Sequence, residues 1–227
     1  MASASRDLLR AAREFCQQLS VGLNGQLFLA GYSEGGYATM ALHKLLEEKH
    51  RNEFIVTASM PGGGAYHKTA FSDYVVGANR DLYFINSYLW VLNTYNWVYK
   101  INRPWSYYLN EPYASQVEAG GVFSRIPLNP QVLLNDTLRE AIAQDSDSLI
   151  QRAFADNDIH DWAPLAPMRM IHGKRDDFVP PFNAEHAYEA MRARGADKIS
   201  LELLNEDHDS AISPYVMKVF EFFSQFE

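Results

Sequence analysis

Three features of the sequence predict an α/β fold, a parallel sheet interrupted by a helical insertion. Short apolar runs alternate with helical patterns at both ends of the 227-residue chain, the middle breaks that rhythm, and 47% apolar residues suffice for one buried core.

In chain order, Leu8, Leu9, Ala12, Phe15, Cys16 and Leu19 recur at helical spacing, so residues 5–19 read as an amphipathic helix that Asn24 and Gly25 end. Residues 26–30 (Gln-Leu-Phe-Leu-Ala) are too short and apolar for a helix and suit a buried parallel strand. After Gly35 and Gly36, residues 37–49 read as a helix. Residues 54–59 form a second β-rich run before Met60-Pro61-Gly62-Gly63-Gly64. The rhythm resumes with a strand at 168–171, a helix at 184–194 stopped by Gly195, a strand at 199–204 and a closing helix at 213–226. Such alternation is the mark of parallel strands joined by right-handed crossovers.

Residues 1–64 and 165–227 are therefore expected to form the core, and 65–164 a mostly helical cap, with helices at 81–100 and 131–154. From Tyr66 to Tyr113 fourteen aromatics occur, including Trp90, Trp97 and Trp105. They serve either as the cap's own small core or as the lining of an apolar cleft, and both can hold.

Composition removes other classes. Ordinary Gly and Pro usage with this apolar content excludes disorder, collagen and coiled coil. A formal charge of -8 without a Lys/Arg cluster argues against nucleic acid. No run of about 18 apolar residues offers a membrane span. Cys16 is the single cysteine, which rules out an internal disulfide and fits a reducing compartment; it faces a helix core by pattern and reads as buried filler. Met1 to Arg6 lacks the apolar core of a signal peptide, so a cytoplasmic location is expected. No spacing of His, Cys and carboxylates suggests a metal, and Gly62-Gly63-Gly64 lacks the Lys-Ser/Thr of a phosphate loop, so neither metal nor cofactor is expected.

Gly31-Tyr32-Ser33-Glu34-Gly35 matches Gly-x-Ser-x-Gly directly after an apolar strand and before a helix, the context of a strained turn that exposes a serine hydroxyl. The glycines Gly31 and Gly35 permit the tight turn, and the helix N-terminus offers backbone N–H groups to an oxyanion. A serine hydroxyl is a weak nucleophile and needs a base oriented by a carboxylate. His172-Gly173-Lys174-Arg175-Asp176-Asp177 follows the third strand and Asp207-His208-Asp209 the fourth. Ser33, an acid and His208 thus fall in order at successive strand ends. Asp207 and Asp209 either raise the imidazole pKa or are solvated loop charges. His43, His50 and His186 are expected on helix surfaces, and His67 and His160 stand isolated in the insertion.

Gly-Tyr-Ser-Glu-Gly-Gly, His-Gly-x-x-Asp-x-x-Val-Pro and the late Asp-His together resemble an α/β-hydrolase of the serine esterase and lipase type. The resemblance implies Asp176 as the acid, with Asp177 the alternative, His208 as the base, Ser33 as the nucleophile and the Glu34 N–H as an oxyanion donor. It covers the second half of the fold, because relatives place the nucleophile on the fifth of eight strands and four strands before it are absent here. The loop that donates the second oxyanion N–H goes with them; Gly62 and Gly63, on the neighbouring strand end, or a second subunit are the substitutes.

These readings imply a serine carboxylesterase acting on short acyl esters through an acyl-enzyme, with peptidase and thioesterase chemistry open. The contrasting reading is a truncated, non-catalytic scaffold that binds a hydrophobic ligand or partner. Missing strands would leave residues 26–30 as an apolar open edge, so a homodimer burying that face is expected.

Overall fold

A computed structural model describes residues 1–226. The chain divides into two compact units, residues 1–67 with 159–227, and residues 68–158.

The first unit is built on a four-stranded parallel sheet in the order β1 (Phe28–Tyr32), β2 (Ala58–Gly62), β3 (Met168–Gly173), β4 (Ile199–Leu204). Parallel strands need crossovers, and α2 (Glu34–Lys49) and α10 (Phe182–Ala193) supply two of them. Tyr37 and Met40 of α2 and Ala184, Ala187 and Met191 of α10 pack with Met168, Met170 and Ile199 of the strands in one buried cluster. The helix α11 (Ile212–Phe223) covers the sheet with Tyr215 against Met60 and Ile171. The N-terminal α1 (Ala2–Gln18) buries no residue fully; Leu9 packs on the Leu29, Leu42 and Leu46 cluster, and Arg10 holds Glu53 through two bonds of 2.7 and 2.6 Å. Cys16 is only half-buried there, not the core filler its spacing suggests, because α1 meets its neighbours along a narrow stripe.

Two strands begin later than their composition indicates. The run at 26–30 becomes Phe28–Tyr32, and the run at 54–59 becomes Ala58–Gly62, taking in Pro61. Pairing rather than side-chain preference sets these ends. Phe28 opposes Ala58 and Tyr32 opposes Gly62, whereas Phe54 and Val56 are buried ahead of the ladder. The last strand matches residues 199–204 as read, and Gly195, at φ +87°, stops α10.

The second unit is helical: α3 (Lys68–Gly77), α4 (Ile85–Val98), α5 (Trp105–Tyr108), α6 (Tyr113–Gly120), α7 (Pro130–Leu133), α8 (Asp136–Ala143) and α9 (Ser148–Ala155). The expected helix at 131–154 is three helices. Asn129, Asn135 and Asp147 each accept backbone N–H bonds as N-caps, so each restarts the chain. Tyr88, Tyr95, Tyr108 and Phe154 are buried, which makes them core, while Trp90 and Trp97 are exposed.

Candidate active site

The turn between β1 and α2 forms the site. Ser33 has φ 58° and ψ -120°, a conformation that costs a non-glycine residue on the order of 1–3 kcal/mol and persists only where its surroundings impose it. Its N–H donates to the Gly62 carbonyl at 2.9 Å, which anchors the turn on β2. A β-carbon on Gly31 would lie 2.3 Å from the Gly35 carbonyl oxygen, so this position requires glycine. Gly35 does not: a β-carbon there meets nothing within 4 Å. The second required glycine is Gly36, one residue past the Gly-x-Ser-x-Gly pattern, where a β-carbon would lie 2.1 Å from the Gly62 oxygen.

Tyr215 reaches the turn from α11. Its hydroxyl accepts the Gly31 N–H at 2.8 Å and lies 2.7 Å from the Met60 carbonyl, to which it can donate. Nothing in the sequence marks Tyr215, since the contact spans 184 residues.

Asp176 and His208 come from the loops after β3 and β4. Gly173 permits their approach: a β-carbon on it would lie 2.6 Å from the Glu206 carbonyl oxygen, and Arg175 N–H donates to that same oxygen at 3.0 Å. His208 Nε2 lies 2.9 Å from Ser33 Oγ, and Nδ1 lies 2.7 Å from Asp176 Oδ2. Asp176 is 3% exposed, whereas Asp177 is exposed to solvent, so the alternative acid is not the one brought to His208. Asp176 Oδ1 accepts the N–H groups of Phe178 (3.0 Å) and Val179 (2.7 Å). Burial acts to raise the Asp176 carboxyl, but hydrogen bonds from His172, His208 and Val179 outweigh it and hold the group below the usual carboxylate range. An ionised carboxylate only accepts, so Nδ1 of His208 carries the proton and Nε2 presents its lone pair to Ser33.

Two aromatic contacts hold the imidazole. Phe178 stacks on it at 5.1 Å, and Tyr32 lies 5.3 Å away on another side while its hydroxyl donates to the His208 carbonyl at 2.8 Å. His172 is fully buried and positions the acid. Its Nε2 lies 2.7 Å from the Val179 carbonyl and 3.3 Å from Asp176 Oδ2, both acceptors, so that nitrogen carries the hydrogen. Asp207 accepts from Ser210 N–H and Oγ–H, both at 2.8 Å, and so builds the exposed turn around His208.

The two glycines expected as oxyanion donors are otherwise engaged. Gly63 N–H donates to the Ile171 carbonyl at 2.9 Å, and Gly62 sits in the ladder opposite Tyr32. The Glu34 N–H belongs to the first turn of α2, where the helical ladder supplies no acceptor.

His43 is fully buried rather than on a helix surface. Its Nδ1 is 2.8 Å from Ser59 Oγ and its Nε2 3.0 Å from Glu47 Oε1, because that face of α2 lies against β2. Ser59 is also fully buried, so His43 and Ser59 face no solvent, and Glu47 ties them to the edge of the core. Glu47 in turn accepts the N–H groups of Leu165 (2.8 Å) and Ala166 (2.9 Å). His50 keeps its partly exposed place.

No protein-family model matches the sequence, and comparison with curated proteins finds no match. The structure is similar to solved esterases and lipases. The rice cell wall degrading esterase LipA from Xanthomonas oryzae aligns with a TM-score of 0.79 at 24% identity, over 96% of this chain and 61% of LipA. Candida antarctica lipase A in its closed state aligns with a TM-score of 0.65 at 17% identity, over 95% of this chain and 52% of the lipase. The chain thus spans between half and two thirds of these proteins, and it has their α/β-hydrolase fold. Among the described residues no helix is long and apolar enough to cross a membrane.

Proposed function

We propose that the chain is a serine hydrolase of the carboxylesterase type acting on short acyl esters. The observation that carries this reading is the relay from buried Asp176 through His208 to Ser33, with bonds of 2.7 and 2.9 Å. Ser33 Oγ attacks the ester carbonyl as His208 Nε2 takes its proton, and the Glu34 N–H stabilises the oxyanion. The proton then passes to the leaving alcohol, which departs and leaves an acyl group on Ser33. Water, deprotonated by His208, releases the acid and restores the serine. Asp176 stays ionised throughout and holds the imidazolium in place. Each oxyanion donor is worth about 3–4 kcal/mol of transition-state stabilisation, so a second donor beside the Glu34 N–H would speed turnover strongly.

The commitment of Gly63 N–H to Ile171 favours one second reading, a scaffold that binds an ester-like or apolar ligand without turning it over. Incubation with a chromogenic butyrate ester separates the two. Hydrolysis abolished by Ser33→Ala supports the enzyme; no hydrolysis, or hydrolysis that survives Ser33→Ala, contradicts it. The Tyr-rich composition of the helical unit supports acyl chains of about two to eight carbons over long ones.

A homodimer is part of this proposal. β1 is an edge of the sheet, and Ile212, Val216, Met217 and Phe220 stand exposed along α11. Pairing of two copies would bury these surfaces in an interface above roughly 2,000 Å² in total.

A further inference from the structure

Three histidines of the α/β unit converge outside the Ser33 site. His67 follows β2 and is the last residue before the chain leaves this unit, His160 is the second residue after it returns, and His186 lies on α10. The sequence separates them by 93 and 26 positions, which is why no ligand spacing is visible in it. The fold joins them: Ile159 N–H donates to the Tyr66 carbonyl at 3.0 Å, and His67 N–H donates to Asn183 Oδ1 at 3.3 Å. His67 Nδ1 and His186 Nδ1 face each other at 3.0 Å, and the His67 and His160 rings stack with centroids 3.7 Å apart. His67 and His160 offer ligand nitrogens within 4.8 Å of one another. All three residues are partly exposed, which opens the cluster to an ion from solvent.

We propose that His67, His160 and His186 form a binding site for a divalent transition metal, with zinc the best fit. Two imidazole nitrogens that ligate one tetrahedral zinc at about 2.0–2.1 Å are about 3.3 Å apart, so the observed Nδ1 pair needs to open by only a few tenths of an ångström. Two facing imidazole nitrogens at hydrogen-bond distance share one proton, and a cation takes that proton's place. Rotation of the His160 ring out of the stack brings the third nitrogen, and water completes the shell. Imidazole nitrogen donors select zinc, copper, nickel or cobalt over magnesium or calcium, which prefer oxygen ligands. The bound ion ties the departing and returning segments of the chain to α10. It takes no part in the chemistry at Ser33.

Cobalt(II) and zinc titrations of the whole metal-stripped chain test this, read by the cobalt visible spectrum and by calorimetry. The expected result is one equivalent with micromolar or tighter affinity and the intense spectrum of four-coordinate cobalt. His186→Gln and His67→Gln should each weaken binding by more than the 10–100-fold that loss of an outer-shell partner costs, while His208→Gln binds as the parent does. The parent gains thermal midpoint with zinc and a folded His186→Gln variant does not. Binding weaker than about 1 mM, equal binding by His186→Gln, or loss of binding in His208→Gln would each overturn the assignment.

Discussion

Gly36 lies against the carbonyl of Gly62 so closely that a β-carbon on it would stand 2.1 Å from the oxygen. That same oxygen accepts the Ser33 N–H, so the contact couples helix packing to the shape of the strained turn. Gly36→Ala should therefore lower stability and disturb Ser33. Gly35→Ala should be neutral or stabilise by up to about 1 kcal/mol, since its β-carbon meets nothing and alanine favours the helix. Urea unfolding of both variants checks this; equal loss in the two would refute the packing argument.

Asp176 and Asp177 are neighbours with different surroundings, one buried on His208 and the other in water. Asp176→Asn should lower ester turnover by orders of magnitude, about 10⁴-fold where the wrong imidazole tautomer results, and Asp177→Asn should stay within a few-fold of the parent. Steady-state kinetics on the two variants, with circular dichroism to confirm folding, would expose an acid assigned one residue away.

Tyr32 and Tyr215 support the site through their hydroxyls. Tyr215→Phe removes the hydroxyl shared by Gly31 and Met60 and should destabilise the fold by about 1–3 kcal/mol. Tyr32→Phe frees the His208 carbonyl and should lower kcat with little change in KM or thermal midpoint, because the His208 loop loosens while the core is untouched. A Tyr32→Phe variant that unfolds early instead would make that bond structural.

Two carboxyls make stability depend on acid. Asp176 and Glu47 both lie below their ordinary range when folded, despite burial that acts the other way; His172, His208 and Val179 hold the first, and His43 with the Leu165 and Ala166 N–H groups the second. A group whose folded pKa is depressed contributes stability that is present above its unfolded value, near 4, and is lost as pH falls through the folded value. The urea midpoint should therefore decline below about pH 4, and Glu47→Gln should flatten part of that slope. An unchanged slope in Glu47→Gln would remove Glu47 from the account.

Much of this was legible because each candidate catalytic residue sits beside a local signal. Ser33 follows an apolar run, Asp176 and His208 follow strands, and β4 is read to the residue from its apolar pattern and Gly195. What was not legible depends on contacts between distant segments. Pro61 and Gly62 have poor strand propensity and are strand residues because β1 and β3 pair with them. Gly36, Gly173 and Tyr215 act through partners far along the chain, and His43 is buried by a sheet that its own helix pattern does not reveal. Three histidines that stand alone in sequence meet only in the fold.

The central claim is that Ser33 is an activated nucleophile, and covalent labelling tests it most directly. The chain treated with a fluorophosphonate should gain the mass of one adduct, mapped by peptide sequencing to Ser33, with labelling lost in His208→Ala and slowed in Asp176→Asn. An unmodified chain under conditions that label a known serine esterase, or an adduct on any other residue, would contradict the account.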